Sequence, residues 1–153
     1  MYRILLLVPF LLLSVIGCDL VSGDEVARFP INRVSSGEGN GASEQSLQLQ
    51  KGEQVAFWSE MELEYEGEVD LRFRVNIMKD GTDFDQLEVN PFEKNITIGE
   101  VKKEINGDVY WSFEGKNGEI EIPEDGKYTF HAWLEASDTS SLKVGKAELV
   151  LRK

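Results

Sequence analysis

The chain has one cysteine and one histidine in 153 residues. A single cysteine excludes an internal disulfide framework. A single histidine excludes metal sites built on two histidines and most relay chemistry. Basic residues are scarce, with 16 Lys and Arg against 28 Asp and Glu and a net charge of −12. That balance argues against a nucleic-acid partner, because phosphate neutralisation needs a basic face. There is no internal repeat, no low-complexity run and no stretch of convincing helical period. No apolar run reaches the roughly 20 residues of a spanning helix. What remains is a globular composition, 41% apolar and 29% charged, at a length that suits one domain.

Arg3 follows Met1 and Tyr2, and Ile4 to Ile16 is apolar apart from Pro9 and Ser14. A basic start, an apolar stretch and a small residue at its end are the layout of a secretory signal. The stretch closes on Val15-Ile16-Gly17-Cys18, which resembles the lipobox of bacterial lipoproteins. The resemblance implies cleavage after Gly17, a diacylglycerol thioether on Cys18, and Cys18 as the acylated N-terminus. A thiolate is the best nucleophile in the chain for accepting lipid. Two or three acyl chains, at about 0.8 kcal/mol per buried CH₂, make a stable membrane anchor. The expected location is the bacterial cell envelope. Asp19 accompanies inner-membrane retention in some such lipoproteins and surface export in others, so both membranes stay open. With Cys18 consumed by lipid, the folded part must be stabilised by a core alone.

The expected organisation is a signal peptide over 1–17, a lipid-anchored tether and loop over 18–46, and a β-sandwich over 47–153. The tether includes a candidate edge strand around Phe29-Pro30-Ile31, where proline is tolerated, and a Gly- and Ser-rich loop. From Leu47 the pattern has period two. Val55, Phe57, Met61, Leu63 and Tyr65 share one face, as do Leu71, Phe73, Val75 and Ile77. Glu66-Gly67-Glu68 between them reads as a short hairpin. Further alternating runs are Ile96/Ile98, Val109/Trp111/Phe113, Ile120/Ile122, Tyr128/Phe130/Ala132/Leu134 and Ala147/Leu149/Leu151. Asp80-Gly81, Asn106-Gly107-Asp108, Lys116-Asn117-Gly118 and Glu124-Asp125-Gly126 read as turns. Eight or nine strands of this kind predict an all-β, two-sheet antiparallel β-sandwich, jelly-roll or immunoglobulin-like. Ile120 to Phe130 resembles a late hairpin of secreted β-sandwiches such as carbohydrate-binding modules, which implies a fold class and no activity.

Three residue sets are candidates for function. Glu60, Glu62 and Glu64 form an acidic stripe. In a β-hairpin with odd-to-odd register, Arg72 and Arg74 would lie opposite and make it a solvated, charge-paired face. Asp80, Asp83 and Asp85, near Glu88, offer hard oxygen ligands for Ca²⁺, although their spacing departs from the EF-hand loop. Trp58, Trp133 and Tyr110 fall on the polar faces of their strands, whereas Trp111 falls inward. Open aromatics of this kind stack sugars or anchor proteins, unless a loop or the N-terminal segment covers them. His131 stands alone, no nucleophile-elbow pattern surrounds Ser112, Ser137 or Ser140, and no catalytic residue or cofactor is expected.

The function expected from these residues is a non-enzymatic, lipid-anchored binding or adaptor module that recognises an envelope or surface protein. Trp58, Trp133 and Tyr110 would make contact, and Glu60, Glu62 and Glu64 would steer a basic partner. The alternatives are a carbohydrate-binding module, a small envelope hydrolase with paired acids, and a structural subunit whose sheet edge pairs with copies of itself or a larger assembly.

Overall fold

A strand with one apolar face must bury it against another layer, and here nine strands do so in two facing sheets. The structure is a computed structural model that describes residues 22–35 and 41–153. The signal stretch, the lipobox and Cys18 lie outside the described residues. In chain order the strands are β1 (Glu25–Pro30), β2 (Ser43–Leu49), β3 (Gln54–Glu66), β4 (Leu71–Lys79), β5 (Thr82–Val89), β6 (Ile96–Ile105), β7 (Asp108–Glu121), β8 (Gly126–Ala136) and β9 (Lys143–Arg152). One sheet has the order β1-β9-β3-β7-β6 and the other β2-β8-β4-β5, and the strand pairings are antiparallel. The first four strands step alternately between the sheets, and β8 and β9 return beside β2 and β1. That winding is a jelly roll rather than an immunoglobulin sandwich. No helix among the described residues is long and apolar enough to cross a membrane.

The alternating residues meet in the middle. Phe57, Met61 and Leu63 of β3, Phe73, Val75 and Ile77 of β4, Tyr128, Phe130 and Leu134 of β8, and Leu149 and Leu151 of β9 are all buried in one cluster. Phe57 and Phe130 touch edge to face across the two layers, with ring centroids 6.5 Å apart. Each such side chain contributes about 1.5–3 kcal/mol by leaving water, which a thiol-free domain needs. β1 pairs with β9 from Glu25↔Arg152 to Pro30↔Glu148, and Ile31 is buried just beyond it. The sandwich therefore takes in an edge strand ahead of Leu47.

Two local expectations change. Glu66-Gly67-Glu68 is no hairpin, because β3 pairs with β7 and β9 while β4 pairs with β5 and β8. The two apolar faces meet across the core instead of side by side, and alternation alone cannot distinguish these arrangements. Arg72 and Arg74 consequently do not face Glu60, Glu62 and Glu64. They pair with Asp70, Glu88 and Glu135 on the other sheet. Nor is Lys116-Asn117-Gly118 a turn. It sits inside the fourteen-residue β7 as a bulge opposite Phe57 and Trp58. The extra residue, Asn117, donates its amide to the carbonyls of Asn90 and Glu93 and so pins the β5–β6 connection.

Candidate functional site

The outer face of the five-stranded sheet carries three carboxylates in one row, since Glu60 is the register partner of both Glu148 and Glu114. Like charges directly opposite are destabilising, and cations from β1 and β9 offset them. Arg28 reaches Glu60 at 2.9 Å, Glu25 at 2.6 Å, and also Glu148. Lys146 reaches Glu60 at 2.5 Å, and Arg152 reaches Glu114 at 2.6 Å. The hydrogen bond from Arg28, reinforced by Lys146, lowers the Glu60 pKa to about 2 against the opposing effect of burial. A carboxyl held ionised this firmly has no proton to give at neutral pH, so Glu60 is unsuited to general acid chemistry. Glu64 pairs with Lys143 at 2.5 Å. Glu62 is exposed and has no ion pair among the described residues. The acidic stripe is thus largely a charge-paired sheet face, with partners other than the expected arginines.

The aromatic set is divided by burial and by layer. Trp58 is 1% exposed, on the outer face of the five-stranded sheet, with the Arg152 guanidinium 4.7 Å over its ring. Ser22 and Gly23, where the described chain begins, border the small pocket beside it. Its indole N–H is buried with no hydrogen-bond partner among the described residues. Trp133 is 7% exposed on the outer face of the other sheet, and its indole N–H donates to Glu135 at 2.9 Å. The two tryptophans therefore do not share a surface. Tyr110 is 42% exposed and is the open member of the set.

Trp111 lies on the inner side of β7, at the overhang beside β6. It stacks on Phe92 with centroids 5.0 Å apart and donates its indole N–H to Glu100 at 2.8 Å. The Lys94 ammonium sits 3.8 Å from the Phe113 ring centre and 2.7 Å from Glu100. Lys102 folds back over Trp111 at 4.1 Å. These bonds, Lys94 foremost, lower the pKa of Glu100 below the usual carboxylate value. Gly115 makes room for Lys94, since a Cβ there would come 2.5 Å from Lys94 Cδ. The inner side of β6 is therefore fastened to the sandwich by a closed cation–aromatic–carboxylate cluster.

The outer side of β6 is bare. Ile98, Val101 and Ile105 are 43%, 50% and 57% exposed. Register places Val101 beside Ser112, Lys103 beside Tyr110 and Ile105 beside Asp108. With Tyr110 these aliphatics form an apolar strip on the β6–β7 hairpin, next to a shallow groove of about 310 Å³ that Glu62, Val101, Lys103 and Tyr110 line. The expected core-facing Ile98 is exposed because it lies opposite Glu114 on the outer face, and a bulge between Ile98 and Val101, at the left-handed Gly99 (φ 61°), then turns Val101, Lys103 and Ile105 to that same face. The alternation Val101, Lys103, Ile105 was the available signal for this strip, and its mixed composition hid it.

The remaining candidates have ordinary partners. Asp80 accepts a hydrogen bond from the Lys127 N–H in the turn after β4, and Asp83 and Asp85 extend along the exposed β5. Among the described residues no group of three or more His, Cys, Asp or Glu is placed to hold a metal ion. His131 Nε2 lies 2.7 Å from Glu44, its register partner on β2. Compared with known proteins, the chain matches no family model, no curated protein and no solved structure.

Proposed function

We propose that this chain is a lipid-anchored, non-enzymatic binding module of the bacterial cell envelope that recognises a protein. The observation that carries this reading is the strip of Ile98, Val101, Ile105 and Tyr110, four exposed large apolar side chains on one hairpin beside a charge-paired sheet face. Clustered apolar surface on an otherwise polar domain marks contact sites. The net charge of −12 favours basic partners during approach. A glycan platform is the second reading and rests on Tyr110, because Trp58 and Trp133 are buried.

The lipobox supplies the orientation. Four residues from Cys18 to Ser22 span at most about 14 Å. Gly23 packs on Lys153 and Arg152, so an acylated Cys18 holds that end of the sandwich close to the bilayer. Ile105 and Asp108 sit level with Glu66, ten residues along β3 from the Ala56 that pairs with Arg152. At about 3.3 Å per residue the hairpin tip lies roughly 33 Å further along the sheet from that end.

Two measurements test the reading. Palmitate incorporation into the full chain is expected to vanish in Cys18→Ser, with release of the protein from the membrane. Titration of the lipidated protein with peptidoglycan fragments and envelope glycans is expected to leave its fluorescence unchanged. A saturable glycan shift lost in Tyr110→Ala would move the assignment to a carbohydrate-binding module. Undiminished membrane attachment and labelling in Cys18→Ser would remove the lipid anchor from it.

A further inference from the structure

We infer that the outer face of the five-stranded sheet, over β7, receives an amphipathic helix of a partner protein, its apolar stripe on β6 and its basic flank on β3. This rests on the protein-recognition reading above and names the kind of element recognised.

Register builds a trough there. Val101 and Glu62 are both partners of Ser112, and Ile105 and Glu66 are both partners of Asp108. β6 therefore offers the aliphatics at 98, 101 and 105, and β3 offers glutamate at 60, 62, 64 and 66, with β7 as the floor between them. Two shallow grooves, of about 260 and 310 Å³, meet on that floor at Glu62 and Ser112. Glu60 and Glu64 are paired with cations, but Glu62 and Glu66 are exposed and form no ion pair among the described residues.

The dimensions select a helix. The aliphatic and glutamate columns lie two strand spacings apart, about 9.6 Å. A helix with its side chains is about 10–12 Å across, so one helix laid along β7 covers β6 with one flank and reaches β3 with the other. A single strand on this face points its inward side chains along one line and meets only one column. A partner sheet spans both, but its apolar face would bury the glutamates without cations. From Glu114, beside Ile98, to Asp108, beside Ile105, the trough runs about 20 Å, or about thirteen residues of helix.

Charge excludes a second copy of this chain. Its net charge is also −12, and its elements are strands. Stacked on the first with β7 over β7 and the strands in the same direction, it would set Ile98, Val101 and Ile105 over Glu60, Glu62 and Glu66. Turned end for end, it would set glutamates on glutamates, which repel. The occupant is thus a helix of another protein, with apolar residues three and four apart and Lys or Arg along one side.

The test measures the occupant against the trough. A benzophenone side chain is placed singly at 98 and at 105 of the full chain in intact cells, and each adduct is mapped to a residue of the partner by mass spectrometry. Both adducts are expected in one partner segment, about thirteen residues apart. Their yield should fall several-fold in Glu62→Gln/Glu66→Gln and stay unchanged in Asp83→Asn/Asp85→Asn on the other sheet. An offset of about six residues, the mark of an extended segment, overturns the helix. Adducts of this chain with itself overturn it in favour of a second copy, and a yield indifferent to Glu62→Gln/Glu66→Gln overturns the basic flank. Each of the first two outcomes leaves recognition through this face standing. Protein recognition itself fails separately, by a saturable glycan shift that depends on Tyr110.

Discussion

At the scale of single residues, the distinguishing feature is how many polar groups are held by particular partners. Glu60 shows the consequence for pH. Its folded pKa of about 2 lies below its ordinary value of 4.5. Its contribution to stability is therefore complete above pH 4.5 and is lost as pH falls toward 2. We expect Glu60→Gln to destabilise the domain by about 1–3 kcal/mol at neutral pH, the usual worth of hydrogen bonds to charged groups. The difference from wild type should shrink to near zero across that acid range, and urea unfolding at a series of pH values measures it. A pH-independent difference would mean that Glu60 acts through packing alone.

The tryptophans differ in the same terms. Trp58→Phe removes an indole N–H that has no partner among the described residues, so relief of that group offsets lost contact, and the change should stay under about 1 kcal/mol. Trp133→Phe takes away a donor from Glu135, so it should cost more, about 1–2 kcal/mol. Chemical denaturation of the two variants checks the order. Equal costs would show that indole packing, rather than hydrogen bonding, decides both.

At the scale of elements, the sequence was most informative where alternation was pure. β3, β4, β8 and β9 bury the residues their patterns indicate, and Asp80-Gly81 and Asn106-Gly107 turn as expected because both pairs adopt positive φ. β5 was hidden because Thr82-Asp83-Phe84-Asp85 resembles a turn, yet it is an edge strand whose polar residues need no cover. β7 looked like two strands because Asn117-Gly118 has turn chemistry, whereas the asparagine spends its side chain on the neighbouring loop. The aromatic candidates failed to converge because period two assigns a face but never says which sheet, or what lies over it. Trp58 is covered by Arg152, ninety-four residues later in the chain. Gly115 gives this scale its prediction. Gly115→Ala should displace Lys94 from the Phe113 ring and cost about 1–3 kcal/mol by overpacking. It should also alter Trp111 emission, while Gly118→Ala, with open space around it, should leave that emission unchanged. Equal emission in both variants would dissociate Lys94 from the β6 support.

At the scale of the whole molecule, the jelly roll places Gly23, packed against Lys153, and the exposed strip at opposite ends of one sheet. Under the proposed binding function, the net charge of −12 would favour basic partners during approach, and the apolar hairpin would give a place for close contact. The opposite sheet's outer face, with Arg74, Glu88 and Glu135 in ion pairs and His131 Nε2 against Glu44, is the natural control surface. A photo-cross-linking scan in intact cells reads contact at the hairpin against contact at this control surface. A benzophenone side chain is placed singly at 101, 105 and 110 on the hairpin, and at 46, 76 and 86 on the other sheet. One discrete protein adduct is expected from the hairpin positions and none from the control positions. Adducts confined to the control positions, or to lipid alone, would contradict it.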